Sequence, residues 1–226
     1  MDPHSPETIA LLGGTGKEGQ GLAIRFAAAG FAVAIGSRDA AKAEEAAASL
    51  RERVPGARLG SGTNTAILQQ AGLVFVCVPF DRAAGLLEEC RPFWPHGCVV
   101  VDTTVPLRFE AGSVSLLELP EASGSEHLAA HLPTGIPLVA AFKTISAHTL
   151  AELDTSLDCD LVVCGDVPEA RTRVARAAST FAGLRVLDGG PLRHARALEA
   201  MCALAIGLNR RYKAKSARFR IVGVNV

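Results

Sequence analysis

The chain has 226 residues, 49% of them hydrophobic and 20% charged, a balance that supports a packed core and excludes disordered, collagen-like and heptad architectures. Its 23 basic and 23 acidic residues cancel to a formal net charge of zero. No whole-molecule field therefore draws it to nucleic acid or to a membrane surface, and an anionic ligand has to be held by local groups.

The opening Met1-Asp2-Pro3-His4-Ser5-Pro6-Glu7 is polar, and no apolar run approaches the roughly 18 residues of a membrane span, so a cytoplasmic protein without membrane contact is expected. From Thr8 the sequence alternates short apolar runs with helical patterns. Ile9–Leu12 reads as a strand, Glu18–Ala29 as a helix and Phe31–Ile35 as a second strand, which together make a βαβ unit. An alanine-rich helix over Ala40–Arg53, a short strand near Arg58-Leu59, a helix around Thr65–Gln70 and the strand Leu73–Val78 continue the rhythm. A helix over Arg82–Cys90 and the strand Cys98–Val101 follow. Strands that are apolar throughout and bounded by helices predict an α/β fold of Rossmann type, doubly wound on a mostly parallel sheet.

Residues 107–133 break this rhythm with Gly, Ser, Pro and Glu, and are expected to form a surface excursion with one short polar helix. Strands are predicted again at Pro137–Phe142, Leu161–Cys164 and Leu184–Leu187, with a helix over Pro168–Phe181 and a long one over Pro191–Tyr212. No internal repeat or linker divides the chain, so residues 1–226 are read as a single domain that ends in a helix and basic tail over 191–226.

Between the first strand and helix lies Gly14-Thr15-Gly16-Lys17-Glu18-Gly19, a G-x-G-x-x-G loop preceded by Gly13. In a βαβ setting Gly14 permits the tight turn, Gly16 lets backbone approach a pyrophosphate, and Gly19 lets the helix pack on the strand. The helix amino end then faces the anion. The second strand ends Ile35-Gly36-Ser37-Arg38 with Lys42 one turn on, offering a hydroxyl and two cations where an NAD-specific site places a carboxylate. That pattern favours an adenosine 2′-phosphate, and hence NADP.

The carboxyl ends of the other strands complete the crevice: Val78-Pro79-Phe80, Thr103-Thr104-Val105-Pro106 and Lys143-Thr144-Ile145-Ser146-Ala147. Small and apolar side chains with little acid/base equipment suit hydride transfer between two flat rings. The threonines serve equally well as simple strand terminators.

These segments, with Val163-Cys164-Gly165-Asp166, Leu187-Asp188-Gly189-Gly190-Pro191-Leu192 and the ending Leu208-Asn209-Arg210-Arg211-Tyr212-Lys213, resemble the NADPH-dependent reductases of the deazaflavin coenzyme F420 over nearly the whole chain. The resemblance implies that Thr15, Gly16, Lys17, Glu18, Ser37, Arg38 and Lys42 hold NADP, and that Val78, Phe80, Arg82, Val105 and Ala147 line the rest of its path. It places the deazaflavin against the nicotinamide near Lys143 and Ile145. Typical members carry histidine where this chain has Lys143; the lysine is expected to steady an anionic deazaflavin or its phosphate tail. A flavin or ferric reductase, and a non-catalytic NADP sensor with a plugged crevice, stand as alternatives. The resemblance also implies a homodimer, for which Leu198, Met201, Leu204 and Leu208 offer an apolar face that could equally be buried within one chain.

Other signals point elsewhere than to chemistry. The six cysteines, Cys77, Cys90, Cys98, Cys159, Cys164 and Cys202, form no C-x-x-C pair and read as buried thiols of a reducing compartment. His127 and His131 lie four apart but lack the neighbours of a zinc site, so no metal is expected. Arg210, Arg211, Lys213, Lys215, Arg218 and Arg220 make the tail basic, without the interleaved aromatics of a single-strand nucleic-acid binder.

Overall fold

A computed structural model describes residues 7–224. The opening Met1–Pro6 segment, read above as polar, lies outside the described residues. The elements run β1 (Thr8–Leu12), α1 (Lys17–Ala28), β2 (Ala32–Ser37), α2 (Ala40–Arg53), β3 (Leu59–Thr63), β4 (Leu73–Val76), α3 (Phe80–Glu89), β5 (Val99–Asp102), β6 (Leu107–Glu110), β7 (Ser113–Leu116), α4 (Gly124–Ala129), β8 (Leu138–Ala140), α5 (Ala147–Ala151), β9 (Cys159–Gly165), α6 (Pro168–Ala178), β10 (Leu184–Asp188) and α7 (Ala195–Tyr212).

Eight strands form one sheet in the order β10-β9-β8-β5-β4-β1-β2-β3, and β6 and β7 pair as a separate hairpin. From β3 to β8 every pairing in the sheet is parallel. The second half of the chain extends this sheet, as expected, but β9 runs antiparallel to β8 and β10 follows β9. Because β1 lies between β2 and β4, the chain turns one way from β1 to β2 and the other way at β4, which opens a crevice beyond their carboxyl ends.

Local chemistry explains the helices around this sheet. In α2 the buried residues Ala43, Ala46, Ala47 and Leu50 recur at one helical face, and Asp39 caps its start by accepting a hydrogen bond from the Ala41 amide at 2.9 Å. Helix α1 is buried along most of its length between the sheet and α5. The rings of Phe26, Phe75, Phe142 and Phe181 pack together on that side, with Phe26 4.6 Å from Phe181 and 5.1 Å from Phe75 between centroids. Arg25 is buried on α1, yet its guanidinium donates to the carbonyls of Leu150 (2.8 Å), Thr149 (3.0 Å) and Glu152 (2.6 Å), orphan acceptors at the end of α5, and to that of Thr155 (3.2 Å) in the loop beyond.

The departures from expectation have physical causes. Ala66–Gln70 is a 3-10 turn rather than an α-helix. The stretch from 107 begins with the β6–β7 hairpin, whose two strands of four residues turn at Gly112 in a left-handed conformation (φ 82°). Each strand alternates apolar and polar residues, but four residues are too few for that period to stand out. The same stretch returns to the interior at α4, where Ser123, Ser125 and Leu128 are buried, so it is not a surface excursion throughout. Helix α5 went unpredicted because five residues are too few to show a period; Ser146 caps it and α1 supports it.

Helix α7 buries Leu198 in a core with Val100, Leu128 and Leu138, and Met201 packs on that core half-buried. Leu204 faces out at 55% exposure. The tail beyond α7 folds back onto the sheet: the Phe219 carbonyl accepts from the Asp160 amide at 2.9 Å, and Arg185 donates to the carbonyls of Ile221 and Val224. Arg220 pairs with Asp158 and Arg210 lies over the Phe109 ring, so part of the basic character is spent within the chain.

Candidate active site

The glycine loop turns at the carboxyl end of β1. Gly13 adopts φ 70°, open to glycine at little cost, and its amide donates to Asn64 Oδ1 at 3.0 Å. The Gly14 amide donates to the Gly36 carbonyl at 2.8 Å, and a Cβ on Gly19 would come within 2.5 Å of the Gly14 Cα, so helix and loop touch where only glycine fits. A Cβ at Gly16, by contrast, would meet nothing nearer than 3.6 Å. Gly16 sits at the cap position of α1 and brings no capping side chain, so the first-turn amides and the positive helix end face the crevice. Gln20 Nε2 steadies the loop through the Thr15 carbonyl at 2.8 Å. An uncapped helix end under an open backbone approach is a cradle for a pyrophosphate, and these residues fit one.

At the end of β2, Ser37 is buried and its Oγ accepts from the Asp39 amide at 3.2 Å. Arg38 and Lys42 are exposed beside it and make no ion pair among the described residues. The Asp39 carboxylate, next in sequence to Arg38, is occupied in capping α2. Arg82 stands exposed on α3 against its neighbour Asp81 at 3.4 Å.

From the glycine loop a cavity of about 500 Å³ continues across the ends of β4, β5 and β8 to α7. It is lined by Gly16, Lys17, Glu18, Val78, Pro79, Phe80, Val105, Lys143, Ile145 and Ala147 of the predicted set. Gly14, Thr15, Gly19, Ser37, Arg38, Lys42 and Arg82 lie outside its wall, in or beyond the loop. Sequence reasoning missed the far wall: Cys202, Ala205, Ile206 and Asn209 of α7, with Ala217 of the tail, whose amide donates to Asn209 Oδ1 at 2.9 Å. Thr103 and Thr104 reach the cavity, but their hydroxyls are engaged, Thr103 donating to the Val76 carbonyl (2.7 Å) and Thr104 to Asp102 Oδ1 (2.7 Å).

Lys143 corrects the expectation placed on it. The residue borders the cavity, but its side chain is fully buried, the ammonium donating to Asp102 Oδ2 at 2.6 Å and to the Thr104 carbonyl, with Glu199 Oε1 at 3.7 Å. Phe142, just before it, adopts the left-handed region (φ 60°) with its ring packed against Phe75. Asp102 also accepts from the Thr104 amide (2.8 Å) and Ser125 Oγ (2.6 Å), while Glu199 accepts from the amides of Gly124 and Ser125, both at 3.2 Å, at the start of α4. Burial holds Glu199 above the usual carboxylate range, against the pull of Lys143. The lysine therefore ties β5, β8 and α7 together instead of offering a charge to a ligand.

Glu18 is the other acid of the site. Its Oε1 is buried without a hydrogen-bond partner, and burial pushes its pKa up to about 8. The thiols of Cys77 and Cys202 face it, each raised by its own burial, Cys202 to about 11. The six cysteines are free, five of them buried and Cys202 half-buried. His127 and His131 bind glutamates, Glu121 at 3.1 Å and Glu88 at 3.2 Å. No helix of the described residues is long and apolar enough to cross a membrane.

Comparison with known proteins bears on this arrangement. The family model "NADP oxidoreductase coenzyme F420-dependent" matches residues 8–106. The F420-dependent NADP reductase of Methanothermobacter thermautotrophicus is 36% identical over 222 residues, covering 96% of this chain and 95% of that protein. The enzyme of the same name from Methanocaldococcus jannaschii is 34% identical over 224 residues, covering 96% and 99%. A solved structure from Arthrobacter sp. FB24 shares the fold with a TM-score of 0.78 over 96% of this chain and 99% of that one, at 22% identity. Likeness at this level along the full length, in a chain whose glycine loop and crevice stand as described, places it: the chain belongs to the family of F420-dependent NADP reductases.

Proposed function

We propose that the chain moves hydride between NADP(H) and the deazaflavin coenzyme F420, the dinucleotide lying along the glycine loop with its nicotinamide in the cavity beside the deazaflavin. The observation that carries this reading is the cavity itself, which begins at the uncapped amino end of α1 and stays open to Ile145 and α7. A sensor protein has no need of such space, and its openness favours an enzyme.

The chain's own residues divide the work. Amides of the Gly14–Gly19 loop take the pyrophosphate, and Ser37, Arg38 and Lys42 take the 2′-phosphate. Val78, Pro79, Phe80, Val105 and Ala147 line the path to the nicotinamide, with Arg82 at its outer side. Ile145 and the backbone at Lys143 flank the second ring, while Ile206 and the tail at Ala217 keep water from the ring pair. The bound cofactors supply the hydride donor and acceptor carbons, so the protein's contribution is alignment and a dry gap rather than an acid/base residue.

The test is an acceptor comparison. NADPH mixed with enzyme and, separately, the deazaflavin, FMN or FAD is followed by bleaching of each acceptor. Turnover with the deazaflavin and little with the flavins is expected; preference for a flavin overturns the assignment of the acceptor. Sedimentation measures self-association, which the exposed Leu204 on α7 supports and the burial of Leu198 limits.

A further inference from the structure

The half of the cavity away from the glycine loop is poor in free polar groups. Thr103 and Thr104 spend their hydroxyls on the Val76 carbonyl and Asp102, Lys143 is buried in its ion pair, and the Ser146 hydroxyl caps α5. Among the described residues that line this half, two nitrogen or oxygen donors remain uncommitted, the Thr144 hydroxyl and the Asn209 side-chain nitrogen. A hydroxyl hydrogen rotates to suit its surroundings, so Thr144 imposes no direction of its own.

Asn209 does impose one, because of how α7 ends. Lys213, just past the helix, adopts the left-handed region (φ 53°), and its amide and that of Ala214 both close on the Asn209 carbonyl, Ala214 at 2.9 Å. The chain turns back there and brings the Ala217 amide to Asn209 Oδ1 at 2.9 Å. The Phe219 carbonyl, bonded to the Asp160 amide, and those of Ile221 and Val224, bonded to Arg185, then fasten the tail to β9 and β10. A backbone N–H can only donate, so the Asn209 atom facing it is the oxygen and the other end of the side-chain amide is NH2. That nitrogen has no protein acceptor, yet it is not among the buried unpartnered atoms of the described residues, which are Glu18 Oε1 and Trp94 Nε1. Asn209 thus holds an accessible donor of fixed direction in a wall otherwise made by Ala205, Ile206 and Ala217.

Deazaflavin rings carry carbonyl oxygens along one edge. We propose that Asn209 is a specificity-determining residue for the second ring, donating from Nδ2 to a ring carbonyl of the bound deazaflavin and so fixing which edge of that ring faces α7. This rests on the reading of the cavity as the site of the ring pair. A ring turned the other way leaves a donor and an acceptor unpaired in a dry gap, which is how one hydrogen bond selects an orientation.

Two variants separate the donor from the anchor of the tail. Asn209→Asp keeps an oxygen for the Ala217 amide and replaces NH2 by a second acceptor, whereas Asn209→Ala removes both ends without adding charge. Binding of coenzyme F420 is followed by optical titration, and binding of NADP+ by calorimetry on the same proteins. Both variants are expected to bind the deazaflavin about tenfold more weakly and NADP+ within about twofold of the wild type. Weakening in Asn209→Ala alone assigns the effect to the anchored tail, and weakening in Asn209→Asp alone assigns it to the added charge; either result overturns the inference, as does an equal loss of NADP+ affinity. Should the variants fail to fold, difference infrared spectra of the wild-type complex decide. A ring carbonyl band lowered from its position in aprotic solvent supports the hydrogen bond, and an unshifted band overturns it. Wild type that binds NADP+ but no deazaflavin overturns the proposed acceptor and the inference together, whereas deazaflavin affinity unchanged in both variants removes only the role of Asn209.

Discussion

The two ends of the crevice both carry cations, and they put them to opposite uses. At the end of β2, Arg38 and Lys42 are exposed with their charges unclaimed by an ion pair among the described residues. At the end of β8, Lys143 is wholly buried and its charge is divided between Asp102, Glu199 and a backbone carbonyl. A solvated cation stays hydrated and costs little to leave unpaired, so it is free for a phosphate that arrives later. A buried cation must be matched within the fold, and once matched it is part of the architecture. Position relative to solvent, rather than residue type, separates recognition from construction.

Substitutions put this contrast at risk in proportion to burial. Lys143→Ala leaves Asp102 uncompensated in the interior and is expected to cost about 3–5 kcal/mol of stability by urea denaturation. A loss near zero would mean that the lysine is not structural and breaks the contrast outright. Arg38→Ala is expected to weaken NADPH binding by about 2 kcal/mol, nearly thirtyfold, with little change for NADH and none in the denaturation midpoint. Equal losses for the two dinucleotides would remove the 2′-phosphate assignment. Lys42→Ala, one turn further out, should show the same selectivity at about 1 kcal/mol.

The smallest effect is expected at Glu199→Gln, which imitates the protonated acid and changes stability near neutral pH by less than about 1 kcal/mol. Its signature is the pH profile. A carboxyl whose folded pKa is raised contributes stability that is complete below the ordinary value of 4.5 and is lost as pH rises through the folded value. The melting temperature of Glu199→Gln should therefore decline less than that of the wild type as pH is raised above 4.5, and parallel profiles would count against a raised Glu199.

What was legible in the sequence was local. The turn at Gly14 and the contact at Gly19 follow from the backbone needs of a few consecutive residues, and the cations after β2 stand exposed where a short stretch of sequence puts them. The elements that failed to show were those decided by distant partners. Lys143 looked like a pocket cation because nothing near it in sequence announces Asp102 or Glu199, and a left-handed turn at a phenylalanine such as Phe142 has no sequence marker. Glu199 itself sits in the run Ala197-Leu198-Glu199-Ala200-Met201, where a lone charge on an apolar helix could have been noticed as needing a partner. The reversed direction of β9 and β10 has no local marker, since strands of either sense are equally apolar when both faces are covered.

That reversal sets where α7 begins. Since β10 ends at the edge of the sheet opposite the cavity, α7 starts there and returns past Glu199 to reach the far wall at Asn209. Fourteen residues of helix separate Ala195 from Asn209, about 21 Å at 1.5 Å per residue. Such a rod is a lever: a tilt of about 5° about its anchor at Glu199 carries Asn209, ten residues or about 15 Å further on, through about 1.3 Å. Changes made at the remote edge of the sheet thus have a mechanical route to the far wall of the cavity.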